Sequence, residues 1–271
     1  METTQSNDHC TRRHAISRLR GGEWRHAHDD LAEEVPVALE YNGISHAVML
    51  ATPSDLEEFA LGFSLSEGIL ASPQDCYGIE VEQGDAGITV HLRISSAAFM
   101  LLKERRRNMT GRTGCGLCGT ESLGQVLRPL PPLAPKMLSA LAIRRALTGL
   151  QLLQPLKQMT GATHAAAWYA PNGELRAGFE DVGRHNALDK LIGAMAQARM
   201  DFKDGFALVT SRASVELVQK AATVGIPALV AISAPTALAV RTAQDCGMTL
   251  VAFARGDDFV GYANSDNIRL D

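Results

Sequence analysis

Regular spacing of apolar and polar positions begins at Val35; the stretch before it has none. Residues 35–40 and 46–51 are apolar-rich runs on either side of Tyr41-Asn42-Gly43, an Asn-Gly hairpin signal. Ser54-x-x-Glu57 reads as a capping box. Leu56, Phe59, Ala60 and Phe63 follow at helical spacing, and the helix is expected to stop near Glu67-Gly68. Residues 78–81 and 88–94 read as strands around a turn at 84–87. Ser95 or Ser96 then caps a helix from Ala97 to about Arg107, whose basic end suits the negative pole of the helix dipole.

The second half alternates strand and helix. A helix is predicted over 137–153, and a strand pair over 164–170 and 174–179 around Pro171-Asn172-Gly173. Helices at 184–199, 214–223 and 235–246 interleave with strands at 206–210, 227–233 and 249–255, with a last short strand at 259–263. Continuous apolar runs such as Ala228–Ile232 predict a largely parallel sheet with helices on both faces. Four prolines between positions 129 and 135 mark a stiff linker. The expected organisation is a mobile N-terminal arm over 1–30, a small α+β domain over 31–128, the linker 129–135, and an α/β domain over 136–271.

Composition refines this picture. Only 5% of residues are aromatic against 46% apolar, so the core must rest on Ala, Val, Leu and Ile. With 26 basic and 30 acidic residues the net charge is −4, which argues against nucleic acid as a partner. Residues 221–240 carry no charge, but Pro227 and Pro235 would break a spanning helix, so no membrane is expected. Five cysteines, an odd count in a chain of 271 residues, do not suggest a disulfide framework. The arginines at 12, 13, 18 and 20 are not followed by an apolar signal segment. A cytoplasmic location is expected.

The chemistry-bearing segment is Gly111–Gly119, a glycine loop holding Cys115-x-x-Cys118. Such a pair has three common meanings: half of a zinc site, a redox dithiol or a sulfur carrier. A zinc site wants a second pair, whereas Cys10, Cys76 and Cys246 stand alone and His164 or His185 would have to reach in. Arg105, Arg106, Arg107 and Arg112 precede Cys115 closely, and nearby cations favour a thiolate. In the second half, Glu180–Asn186, Thr210–Ser214 and Ser233–Thr236 each occupy a strand-to-helix junction. With Arg184 and Arg212 they suit a phosphate-bearing ligand. Phe253-Ala254-Arg255-Gly256-Asp257-Asp258 ends another strand, and its paired carboxylates can accept the N1 and N2 hydrogens of a guanine.

These segments together resemble the FdhD family of formate dehydrogenase accessory sulfurtransferases over residues 31 to 263. The resemblance rests on Leu31–Pro36, Asn42-Gly43, Thr52–Asp55, Gly62-Phe63 through Gly68, and Cys115–Gly119. It continues through Thr160–Ala166, Asp181–Lys190 and Ala234–Thr236. It implies a cytidine-deaminase-like α/β C-terminal domain, a smaller α+β N-terminal domain and a mobile Cys-x-x-Cys loop. The H-x-E and P-C-x-x-C zinc signature of deaminases is absent, so no metal site is expected. The implied function is a sulfurtransferase acting through a cysteine persulfide: Cys115 takes sulfur from a cysteine desulfurase, with Cys118 as its partner. The sulfur goes to the molybdenum bis(molybdopterin guanine dinucleotide) cofactor, a bound substrate rather than a permanent cofactor, on its way to the formate dehydrogenase apoprotein. Phe253, Ala254, Arg255, Gly256, Asp257 and Asp258 are the implied contacts to its guanine nucleotide moiety, and a homodimer is implied. Ser211 before Arg212 and Ala252 before Phe253 stand where the family usually has Gly. The competing reading is a zinc-stabilised binding or scaffold protein without turnover.

Overall fold

The computed structural model describes residues 9–107 and 129–270. It opens on a two-stranded antiparallel ribbon, β1 (Thr11–Arg20) and β2 (Glu23–Ala32). This corrects the expectation of an aperiodic arm. Gly21 and Gly22 both take positive φ, 62° and 84°, as a tight hairpin turn requires. Most side chains on both faces of the ribbon are exposed and none is fully buried. Without a buried face there is no apolar alternation to read.

β3 (Val35–Tyr41) and β4 (Ile44–Ala51) form the expected hairpin, with Asn42 and Gly43 at φ 47° and 81°. α1 (Leu56–Ser66) follows, but the Ser54 capping box does not form. Asp55 is the N-cap, left-handed at φ 53°, with no side-chain cap bond, and the Ser54 hydroxyl faces the Cys10 thiol instead. β5 (Cys76–Gly84) and β6 (Gly87–Ile94) complete a four-stranded sheet in the order β4-β3-β6-β5. Asn42 ties its own turn to that sheet, its amide donating to the Ile94 carbonyl at 3.0 Å and accepting from the Ile94 N–H at 2.9 Å. α2 (Ser96–Arg107) starts as expected, with Ser95 Oγ accepting from Ala98 N–H.

After residue 129, β7 (Leu138–Ser139) precedes α3 (Ala140–Gly149), a single 3-10 turn (Leu150–Leu153) and α4 (Pro155–Thr160). The expected 137–153 helix is thus shorter. Leu138 and Ser139 pair with β14 (Ile268–Arg269), and Ser139 caps α3 by accepting from Ala142 N–H at 3.1 Å. Between them run β8 (His164–Tyr169), β9 (Leu175–Asp181), α5 (Arg184–Gln197), β10 (Phe206–Val209) and α6 (Val215–Thr223). β11 (Ala228–Ala231), α7 (Ala237–Cys246), β12 (Thr249–Arg255) and β13 (Asp258–Ala263) follow. The charge-free stretch 221–240 is therefore helix end, strand and helix start. Among the described residues no helix is long and apolar enough to cross a membrane.

The six strands order as β13-β12-β11-β10-β8-β9. Only β10, β11 and β12 are mutually parallel; the pairs β12/β13, β10/β8 and β8/β9 are antiparallel. The largely parallel sheet expected from alternation is corrected to a mixed one, because the 164–181 strand pair and the last strand return by short turns rather than through helices. α5, α6 and α7 contribute to the core on one face, α3 to that on the other.

One apolar core runs from β3 and β6 through α1 and α5 to the six-stranded sheet. α1 and α5 touch backbone to backbone. A Cβ on Gly62 would overlap the Asp189 carbonyl, and one on Gly193 the Glu58 carbonyl. At these two positions glycine is required by close approach rather than by φ.

Candidate functional site at the strand ends

β10, β11 and β12 are parallel, so Val209, Ala231 and Arg255 end at one edge. β8 runs the other way and begins there at His164; β9 ends there at Asp181, leading into α5. The three junctions singled out by sequence therefore meet on one edge, joined by the start of β8. Successive strands lie about 4.8 Å apart, which sets β8 roughly 14 Å from β12, the scale of an extended nucleotide.

At the β8–β9 end of this edge three buried nitrogen atoms have no hydrogen-bond partner among the described residues: His164 Nδ1, Arg184 Nε and His185 Nε2. Buried polar atoms are ordinarily satisfied, so such a group is a place where a ligand or water completes the bonding. Burial, Arg184 and Lys220 push the His185 pKa down to about 4. Burial, with Lys157 and Arg184 nearby, lowers His164 as well. Both imidazoles are neutral at pH 7; Lys157 and Arg184 near His164 favour an anion, while His185 faces Glu216 and Glu67 as well as Arg184 and Lys220. The sequence places His185 next to Arg184 in a junction suited to phosphate, but that His164 joins them is a tertiary fact. Among the described residues no three His, Cys, Asp or Glu side chains come together as metal ligands.

The next residues of the same segment do different work. Asp181 Oδ1 accepts from Gly183 N–H at 2.8 Å and from Asn186 Nδ2 at 2.9 Å. Its Oδ2 accepts from Thr52 N–H at 3.1 Å and pairs with Lys190 Nζ at 2.8 Å. Asp189 accepts from Ser66 Oγ at 2.6 Å and pairs with Lys220 at 2.9 Å, and Lys220 also meets Glu67 at 2.7 Å. These bonds reach back to the first half of the chain and fix the start of α5. Sequence reading did not find them, because a buried carboxylate and a solvated one look alike in sequence.

At the β12–β13 end, Phe253 has a left-handed backbone, φ 50°, inside a register break between Ala252 and Arg255. Before the break Leu250 and Ala252 face the core shared with α1 and Val251 faces the other; beyond it Ala254 faces the second core too. The bulge shifts the side-chain phase by one, turns Phe253 out to 44% exposure beside Tyr262, and sinks Ala254 completely. Of the six residues implied as nucleotide contacts, Phe253, Arg255, Gly256, Asp257 and Asp258 are exposed at the edge. Ala254 can offer only backbone. Gly256 and Asp257 form the tight turn, Gly256 at φ 58°, and Arg144 Nε donates to the Asp257 carbonyl at 3.1 Å.

Cys115 and Cys118, with the rest of 111–119, lie outside the described residues. Cys10, Cys76 and Cys246 are free thiols, each with its pKa raised chiefly by burial. Cys10 is buried, 1% exposed, against the expectation of a solvated arm.

The FdhD/NarQ family model matches residues 32–269. The chain belongs to the FdhD/NarQ family. Among FdhD/NarQ relatives, the sulfur carrier protein FdhD of Cupriavidus necator is 56% identical over 256 residues, covering 94% of this chain and 89% of the relative. Its namesake from Variovorax paradoxus is 56% identical over 237 residues, 87% of this chain and 85% of the relative. That of Bordetella petrii is 52% identical over 259 residues, covering 94% and 93%. A solved structure from Desulfotalea psychrophila, assigned as a formate dehydrogenase accessory protein, shares the FdhD/NarQ chain's fold. Its TM-score is 0.76 at 23% identity, covering 96% of this chain and 100% of that one.

Proposed function

We propose that this FdhD/NarQ chain is a cytoplasmic sulfur carrier serving formate dehydrogenase, and that the strand-end edge holds the nucleotide of the molybdenum cofactor it sulfurates. Relatives at 52–56% identity that bear the name sulfur carrier support the first part. The observation that carries the second is the group of unpartnered buried nitrogens on His164, Arg184 and His185. A phosphate would bind these groups, while Phe253 and the carboxylates of Asp257 and Asp258 engage the guanine at the far end. The cytidine-deaminase-like architecture of the larger half belongs to the same reading.

The sulfur step follows from thiol chemistry. The Cys115 thiolate attacks the terminal sulfur of a desulfurase persulfide, forming Cys115–S–SH and releasing the desulfurase thiolate. The Cys118 thiolate then attacks Cys115 Sγ. A Cys115–Cys118 disulfide forms, and the terminal sulfur leaves as hydrosulfide, reduced by the two thiols, for the metal to take up. Burial raises the pKa values of Cys10, Cys76 and Cys246, which makes them poor nucleophiles and supports this choice of residues.

Mass spectrometry after incubation with a cysteine desulfurase and cysteine tests the carrier role. One added sulfur on the peptide containing Cys115, removed by reductant, is expected. Absence of the adduct, or its presence on another cysteine, overturns the assignment.

A further inference from the structure

Guanine differs from adenine in two kinds of group on one side of the base: hydrogens on N1 and N2, and the acceptor O6. Asp257 and Asp258 suit the hydrogens, and exposed Phe253 suits the ring face. A carboxylate cannot answer O6, because an ionised carboxylate only accepts. An O6 stripped of water without a donor would weaken binding.

The donor stands on the neighbouring helix. Arg144 of α3 lies 113 positions before Asp257, and its Nε donates to the Asp257 carbonyl at 3.1 Å. Ala254 and Phe259, on either side of the turn, pack in the same core as Ile143, Ala146 and Leu147 of α3, so packing fixes how far the guanidinium stands from the turn. Across the same turn Arg255 and Asp258 are cross-strand partners. Opposite charges this near ordinarily pair. Among the described residues, however, neither arginine forms an ion pair, and neither carboxylate has a partner. Two arginines and two aspartates share one exposed turn with donors and acceptors unspent. The Nε bond leaves both Nη groups of Arg144 free and holds the planar fork in one orientation. Arg255 has no such anchor.

We infer that Arg144 determines the base specificity of this edge, its Nη groups donating to O6 of the guanine whose N1 and N2 hydrogens the two carboxylates accept. This rests on the reading of the edge as a guanine nucleotide site. Guanidinium and carboxylates hold one side of one base, so they act as a unit and neither selects guanine alone. Adenine opposes both, with an amino donor in place of O6 and a bare acceptor nitrogen at N1.

Calorimetric titration of the full chain with four nucleoside diphosphates tests this. Those of guanosine and inosine have O6; those of adenosine and 2-aminopurine riboside lack it, and all four keep the phosphates. Arg144→Met should weaken the first two by about ten- to a hundredfold. It should leave the last two no weaker than in the wild type. Arg145→Met, one position along α3 and bonded to the Asn172 carbonyl instead, should change none of the four. An equal loss for all four in Arg144→Met overturns the inference, because Arg144 would then only steady the turn. So does unchanged binding of the guanosine and inosine diphosphates. Failure of the underlying reading looks different: the wild-type chain would bind guanosine and adenosine diphosphates equally, and the inference would fall with it. Arg144 and Arg145 are exposed, and thermal melts confirm that the variants fold.

Discussion

Lys190 Nζ sits 2.8 Å from Asp181 Oδ2, and both side chains are completely buried. Lys190 also donates to the Thr52 carbonyl at 3.2 Å, while Asp181 accepts from Thr52 N–H at 3.1 Å. One ion pair thus holds the end of β4 against the start of α5, next to the unpartnered nitrogens of Arg184 and His185. Its chemical role is to position.

Breaking this pair from one side should cost much more than removing it. Lys190→Met strands a buried carboxylate, and a loss of about 3–5 kcal/mol is expected. Lys190→Met with Asp181→Asn should recover a large part of that loss, because the charge left uncompensated is gone. Urea unfolding of the two variants checks this; equal losses would mean that the pair's worth lies in its hydrogen bonds and not in charge compensation.

His185 predicts a pH dependence. Its folded pKa is pushed down to about 4, below the unfolded value near 6.5. Unfolded chains therefore bind a proton that folded ones refuse, so the contribution is present above pH 6.5 and fades as pH falls towards 4. The slope from one such group is at most about 1.4 kcal/mol per pH unit. His185→Gln should flatten the acid limb of the stability curve over that window. A bound anion should do the same by raising the histidine's pKa.

Guanine nucleotides should raise the melting temperature by mass action, with adenine nucleotides much weaker. Asp257→Asn/Asp258→Asn should erase the preference while leaving pyrophosphate binding intact, because the carboxylates and the His164–His185 group lie at opposite ends of the edge. Equal shifts with both bases in the wild-type chain would remove the guanine assignment.

The two thiols should separate by step. Cys115→Ala should accept no sulfur from the desulfurase. Cys118→Ala should accept it and fail to release it. Loss of acceptance in Cys118→Ala alone would reverse the roles.

Close helix packing gives the last expectation. Gly62→Ala places a methyl against the Asp189 carbonyl, where backbone meets backbone and no side chain can move aside. Overpacking of this kind costs about 1–3 kcal/mol or more. A clear drop in melting temperature is expected, with Gly149→Ala, whose added methyl meets open space at an ordinary φ, as the comparison.

Local rules in the sequence determined most elements on their own. The Asn42-Gly43 hairpin, the Ser95 cap of α2 and the apolar strands of the sheet depend on neighbours a few residues away. The junctions that form the strand-end edge were equally legible, since each is a strand followed by a helix. Where the physics is non-local, only the tertiary structure decided. The ribbon over Thr11–Ala32 has no buried face and so leaves no hydrophobic period to read. The sheet is mixed because two returns are turns rather than crossovers. Within Asp181–Lys190, position alone separates Asp181, Asn186, Asp189 and Lys190, which are fully or nearly fully buried and tied to the first half of the chain, from Arg184 and His185, which are left with nitrogens unpartnered at the edge. That division arises from which face of α5 meets α1, a contact set by residues more than a hundred positions apart.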